Sequence, residues 1–174
     1  DNPSVDATPQ EILDWYVQAE QALRSGRKSE AFEFYQKAAE AGHAESQNKL
    51  AWMYEKGVGV PKDEPQAVRW YQAAAENNLP AAQNNLAWMY ENGVGVTQSY
   101  ASARNWYLKA AEVGYLKSQN SVARMYQKLG QDCEAASWYQ RAMRGNHADA
   151  GMALASLYEA GHCPEATPGQ DQNV

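Results

Sequence analysis

Leu50-Ala-Trp-Met-Tyr-Glu-Lys-Gly-Val-Gly-Val60 returns 36 residues later as Leu86-Ala-Trp-Met-Tyr-Glu-Asn-Gly-Val-Gly-Val96. Its head, Leu-Ala-x-x-Tyr, comes back as Val122-Ala123-x-x-Tyr126 after a further 36 residues, and as Leu154-Ala155-x-x-Tyr158 after 32. A second cassette, Ala-x-x-x-Tyr-x-x-Ala, lies between these at 31/35/38, 67/71/74, 103/107/110 and 135/139/142. Both cassettes place their members on one face of a helix with 3.6 residues per turn. A register of this length marks a solenoid of helical pairs, in which each unit packs on its neighbours.

The small alanines let helices approach closely, and each tyrosine fills the space beyond them. The spacing predicts A helices at 9–25, 44–56, 80–92, 116–129 and 147–160, alternating with B helices at 29–41, 64–77, 100–113 and 132–144. Gly57 and Gly93 are expected to end A helices in the left-handed conformation, and Gly42, Asn78, Gly114 and Asn146 to end B helices. Asp63, Ser99 and Asp132 are expected to cap the B helices that follow them. From Tyr126 to Tyr139 is 13 residues, against 17 from Tyr54 to Tyr71 and from Tyr90 to Tyr107. The outer pairs thus tend to a tighter hairpin than the middle ones.

Residues 9–163 read as the solenoid, about four helix pairs and a final helix, with 1–8 as an extension and 164–174 as a polar, disordered tail. The net charge of −6 and the absence of a Lys/Arg block argue against a nucleic-acid or anionic-membrane partner. No apolar stretch is long enough to span a bilayer. The sequence opens at Asp1 with no initiator Met, as in a secretory protein whose leader has been removed; an artificially trimmed start would read the same.

Ala44 through Asp63, followed by Ala67-Val-Arg-Trp-Tyr-Gln-Ala-Ala-Ala75, resembles a Sel1-like repeat, and so does Gln83 through Ala111. The Gly-Val-Gly-Val loop and Trp-Tyr-x-x-Ala-Ala carry the resemblance. The short-loop pairs at 9–41 and 116–144 resemble the related tetratricopeptide repeat. The resemblance implies an all-α, right-handed α-α superhelix acting as an adaptor or scaffold, often in bacterial envelope and signalling systems. It also implies that A helices line the concave surface.

On that surface the positions opposite the core form a stripe, Asn48, Asn84 and Asn120 beside Trp52, Trp88 and Arg124, with Glu55 and Glu91 on the same side. Tryptophan away from a core commonly marks a contact, and asparagine amides suit the backbone of an extended peptide. Arg124 would meet an acidic group. The bland alternative packs Trp52 and Trp88 between A helices and leaves the asparagines solvated. Trp70, Trp106 and Trp138 each precede a B-helix tyrosine, matching Phe34, and read as packing residues.

Cys133, in the first turn of a B helix, and Cys163, past the end of the last A helix, fall at one edge of an antiparallel pair. They are expected to form a disulfide, which implies a periplasmic or secreted location; the alternative is a cytoplasmic protein with free thiols. Two Cys and the adjacent His162 make an incomplete zinc set, so no metal and no cofactor are expected. His43 and His147 occupy equivalent turns and read as structural, and no nucleophile elbow or phosphate loop occurs.

The expectation is a non-enzymatic, monomeric interaction module that binds a protein or peptide on its concave face. A structural or regulatory scaffold acting through the solenoid ends or the convex face, with Arg69, Arg104, Lys109 and Arg141, is one alternative. A receptor for a small ligand or cell-wall fragment, with weak hydrolase activity at most, is the other.

Overall fold

Alanine at every helix crossing fixes how near the helices come, and the chain uses it throughout. Ala31, Ala38, Ala67, Ala74, Ala103, Ala110, Ala135 and Ala142 are all fully buried. So are the A-helix alanines Ala51, Ala87 and Ala123. In the computed structural model, which describes residues 6–145 and 148–163, the described residues form helices and no strand. In order these are α1 (Pro9–Arg24), α2 (Lys28–Glu40), α3 (Ala44–Lys56), α4 (Glu64–Glu76), α5 (Pro80–Asn92), α6 (Tyr100–Glu112), α7 (Leu116–Lys128), α8 (Asp132–Arg144) and α9 (Ala148–Glu159). Each bound lies within one residue of the sequence expectation. Odd-numbered helices are the A row, even-numbered the B row, and each helix packs chiefly on the one before and the one after it. The fold is an all-α repeat superhelix.

Tyr35, Tyr71 and Tyr107 enter the core at 0, 1 and 2% exposure. Three apolar clusters run along the solenoid, and they are joined rather than separate. Tyr54 and Trp70 pack against both the first and second clusters, while Tyr90 and Trp106 pack against both the second and third. Trp70, Trp106 and Trp138 are therefore packing residues, as their register implied. Arg69, Lys109 and Arg141 lie over their rings at 5.9, 4.4 and 4.6 Å, and Lys37 lies over Phe34 at 5.3 Å. The B-helix cations thus cover the chain's own aromatics.

Most of the expected punctuation is present. Gly57 and Gly93 end α3 and α5 at φ 67° and 64°, and Asn78 adopts φ 60° after α4. Asp63 accepts from the Gln66 amide at 3.0 Å and Ser99 from the Ser102 amide at 3.2 Å. Asp132 is a correction: Gln131 holds the cap position without a side-chain capping bond to the helix, and Asp132 is already the first helical residue. Its carboxylate instead meets His162 Nδ1 at 2.7 Å, across from α9. His43 caps α3, accepting from the Ser46 amide. His147, Asn146, most of the 1–8 extension and the whole 164–174 tail lie outside the described residues.

The Gly-Val-Gly-Val loops tie each middle repeat to its predecessor. Val58 and Val60 enter the first cluster, Val94 and Val96 the second. The glycine between each valine pair rests on the N-terminal backbone of the preceding B helix. A Cβ on Gly59 would stand 2.3 Å from the Lys28 carbonyl oxygen, and one on Gly95 would stand 2.5 Å from that of Glu64. Gly130, in the short loop before α8, touches nothing comparable.

Cys133 and Cys163 form a disulfide with Cα atoms 5.2 Å apart, joining α8 to the end of α9. Their separation of 30 residues corresponds to about 3–4 kcal/mol of chain-entropy stabilisation. Reduction, or replacement of both cysteines by serine, is expected to lower the unfolding free energy by that amount, read as a fall in the urea midpoint at unchanged slope. An unchanged midpoint would mean the bond restrains nothing that packing does not already hold.

Candidate interaction surface

The buried tyrosines do more than fill space, because each hydroxyl reaches through to the A row. Tyr35 donates to Glu20, Tyr71 to Glu55 at 2.8 Å, Tyr107 to Glu91 at 2.8 Å and Tyr139 to Gln127 at 3.1 Å. Burial, followed by the bonded carboxylate, pushes the Tyr35 and Tyr71 hydroxyl pKa values far above the usual tyrosine range. Tyr107 moves the same way, burial acting first and the Glu91 charge and hydrogen bond next. The Tyr35 hydrogen bond holds Glu20 below its usual range against the opposing effect of burial. The sequence carried a signal for this row: Glu55, Glu91 and Gln127 each follow the tyrosine of Leu/Val-Ala-x-x-Tyr.

Glu91 has a second partner from the next A helix. The Arg124 guanidinium donates to both its oxygens at 2.8 Å, with a further bond from Nε at 3.0 Å. Burial alone would lower the Arg124 pKa, but the bonds and charge of Glu91 outweigh it and raise it. Arg124 thus takes its acidic group from its own chain. Glu20 likewise receives Lys49 from the next A helix, at 3.4 Å. Glu55 differs: its cation is Lys56, the adjacent residue on its own helix, at 2.6 Å, with a half-exposed side chain.

The asparagine row is used between repeats. Asn85 Nδ2 donates to Asn48 Oδ1 at 3.1 Å, and the Ser118 hydroxyl donates to Asn84 Oδ1 at 2.9 Å. Asn120 Oδ1 is buried with no hydrogen-bond partner among the described residues. Ala150 stands where the register would place the counterpart of Ser118, which accounts for the missing donor. A row of glutamines, not singled out from the sequence, performs a related task. Gln47 and Gln83 are buried and donate to the Ala39 and Ala75 carbonyls at the ends of α2 and α4. Their spacing of 36 was the available signal.

Trp52 and Trp88 remain 36% and 42% exposed, among the most open large apolar side chains of the middle repeats. They flank a shallow cleft of about 310 Å³, completed by Tyr71, Glu55, Lys56 and the amides Asn84 and Asn85. Six residues of the sequence-derived stripe therefore divide. Trp52, Glu55, Asn84 and Trp88 share this cleft, while Glu91 and Arg124 form an ion pair one repeat further on. Asn48 adjoins through its bond to Asn85, and Asn120 does not reach the cleft. Among the described residues no three His, Cys, Asp or Glu side chains gather as a metal site, and no helix is long and apolar enough to cross a membrane.

The sequence model of the Sel1 repeat matches residues 27–43, 44–79 and 80–115. No curated protein sequence gives a significant match. Among solved structures, the chain is similar to a protective antigen of uropathogenic Escherichia coli strains that displays an SLR fold. That match is 31% identical with TM-score 0.79, over 86% of this chain and 34% of the other. It is also similar to a Sel1 repeat protein from Oxalobacter formigenes, 32% identical with TM-score 0.71, over 78% of this chain and 58% of the other. The MamA protein, 15% identical with TM-score 0.65 over 88% of this chain and 84% of its own, shares the fold. The chain spans about a third of the length of the first relative and somewhat over half of the second.

Proposed function

We propose, from the premise that the chain belongs to the Sel1 repeat family, that it is a non-enzymatic interaction module holding a peptide or partner protein along the A-helix face at Trp52 and Trp88. Repeat scaffolds of this kind typically mediate protein–protein interaction. The observation that carries the reading is the pair of half-exposed tryptophans at one register, on either side of a cleft with polar walls. Two rigid aromatic anchors one repeat apart are the composition expected of a binding hot spot. The disulfide supports an oxidising compartment, with the bacterial envelope as the proposed setting.

On the B row, Arg69, Lys109 and Arg141 are already stacked on the chain's own tryptophans, which favours the A row as the partner-facing side. The test is affinity capture from source-organism extract, comparing the wild type with the Trp52→Ala/Trp88→Ala double variant. Neither residue is in the core, so the double variant should fold as the wild type does. Binding to the captured partner should weaken by more than about 2 kcal/mol. Equal affinity in the folded double variant would exclude this face.

A further inference from the structure

We infer that the Trp52–Trp88 cleft accepts a guanidinium group, presented as an arginine side chain of the partner. The inference rests on the reading that this face is the binding face, and deepens it by naming the chemistry that is bound.

The argument comes from comparing three equivalent carboxylates within the chain. Glu20, Glu55 and Glu91 lie on successive A helices, and each accepts from a buried tyrosine of the following B helix. Glu20 receives a cation from the next A helix, Lys49. Glu91 receives one too, and its occupant is a guanidinium held by three hydrogen bonds. At the middle carboxylate, the residue in the Arg124 register is Trp88, and the one in the Lys49 register is Asn85. The place of the inter-repeat cation is therefore not filled by the next helix, and the space there is the cleft between Trp52 and Trp88.

The lining of the cleft suits a guanidinium better than any other cation. Its planar, weakly hydrated face stacks on indole, while its edge donates in a fork to a carboxylate. Glu55, 13% exposed, supplies the carboxylate, and the two tryptophans supply the faces. Lys56 is the competitor. It is the neighbouring residue on the same helix and its ammonium is half-exposed, so it can swing into solvent when a better-placed cation arrives. The net charge of −6 draws a basic segment to the chain in the first place.

The experiment titrates N-acetyl-arginine methylamide into the protein and follows the indole N–H signals of Trp52 and Trp88 by NMR. Its citrulline counterpart, alike in shape but uncharged, is the control. Expected are saturable shifts of those two signals with the arginine probe, and at least tenfold weaker binding of the citrulline probe. Glu55→Gln should weaken arginine binding at least tenfold while the fold is kept, since Gln127 already accepts from Tyr139 at the equivalent place. Lys56→Gln should tighten it several-fold. Trp88→Arg should fill the site from within, as Arg124 does at Glu91, and abolish the shift at Trp52. Equal response to arginine and citrulline, no saturable response, or a Glu55→Gln variant that titrates as the wild type would each overturn the assignment. If the double tryptophan variant loses the captured partner while the arginine probe fails, the face stands and only the guanidinium falls.

Discussion

Raising the pH past about 10, where ordinary tyrosines ionise, should strip stability from the folded chain at roughly 4 kcal/mol per pH unit. Tyr35, Tyr71 and Tyr107 are each at most 2% exposed, and burial together with a bonded carboxylate raises all three pKa values. Above their unfolded pKa the denatured chain releases three protons that the folded chain retains, so the equilibrium tilts toward unfolding as pH rises. Their contribution is complete below about pH 10 and declines steadily from there, because the folded values lie well above that window. A domain with about 5–15 kcal/mol in hand would be exhausted within about one to four such units.

Tyrosinate absorbance and helical circular dichroism measured together should therefore show the buried phenols ionising only as helix is lost. Tyr71→Phe should reduce the alkaline slope by about a third, with a neutral-pH loss of about 1–2 kcal/mol for the hydrogen bond left unmade at Glu55. Complete tyrosine ionisation with the helices intact would show that the hydroxyls are not sequestered.

Gly95→Ala should be, with its counterpart at Gly59, among the most damaging single methyls that can be added to the middle of the solenoid, at about 3 kcal/mol or more. Two penalties coincide there. The residue sits at φ 67°, which disfavours any side chain, and the new Cβ would lie 2.5 Å from the Glu64 backbone, which has no rotamer to escape into. Gly130→Ala is the control, because it has φ 71° but open space around it. It should lose only about 1 kcal/mol, the backbone part alone. Urea midpoints for the two variants separate the contributions. Equal losses would mean the loop does not bear on α4 at all.

The helices were legible because their determinants are local and repeated. Alanine, tyrosine and glycine at fixed offsets specify a period, a crossing and a stop, each within a few residues. The partners of polar side chains were not legible to the same degree. Asp132 has the sequence look of a cap, yet a histidine thirty residues away claims it, because the disulfide draws the end of α9 to that spot. Arg124 reads as an open cation on a helical wheel, which cannot show that Glu91 lies one repeat behind it. The wheel did place Trp52 and Trp88 on the exposed side, since exposure of a residue opposite the core follows from periodicity alone. It could not show that Glu55 lies in the cleft between them, which depends on two A helices at once.

The valine-glycine loops reach backwards twice, from the second pair to the first and from the third to the second, and then stop. Beyond α6 the chain changes fastener: Arg104 bonds to Gln131 and covers Tyr126, and the disulfide joins α8 to the end of α9. The joint between α6 and α7 is therefore closed by polar side chains, with Arg124 on Glu91 and Ser118 on Asn84, where the earlier joints set backbone against a glycine. Salt screens a charged contact such as Arg124 on Glu91 and leaves a steric latch untouched, so this joint answers to ionic strength in a way the latches do not.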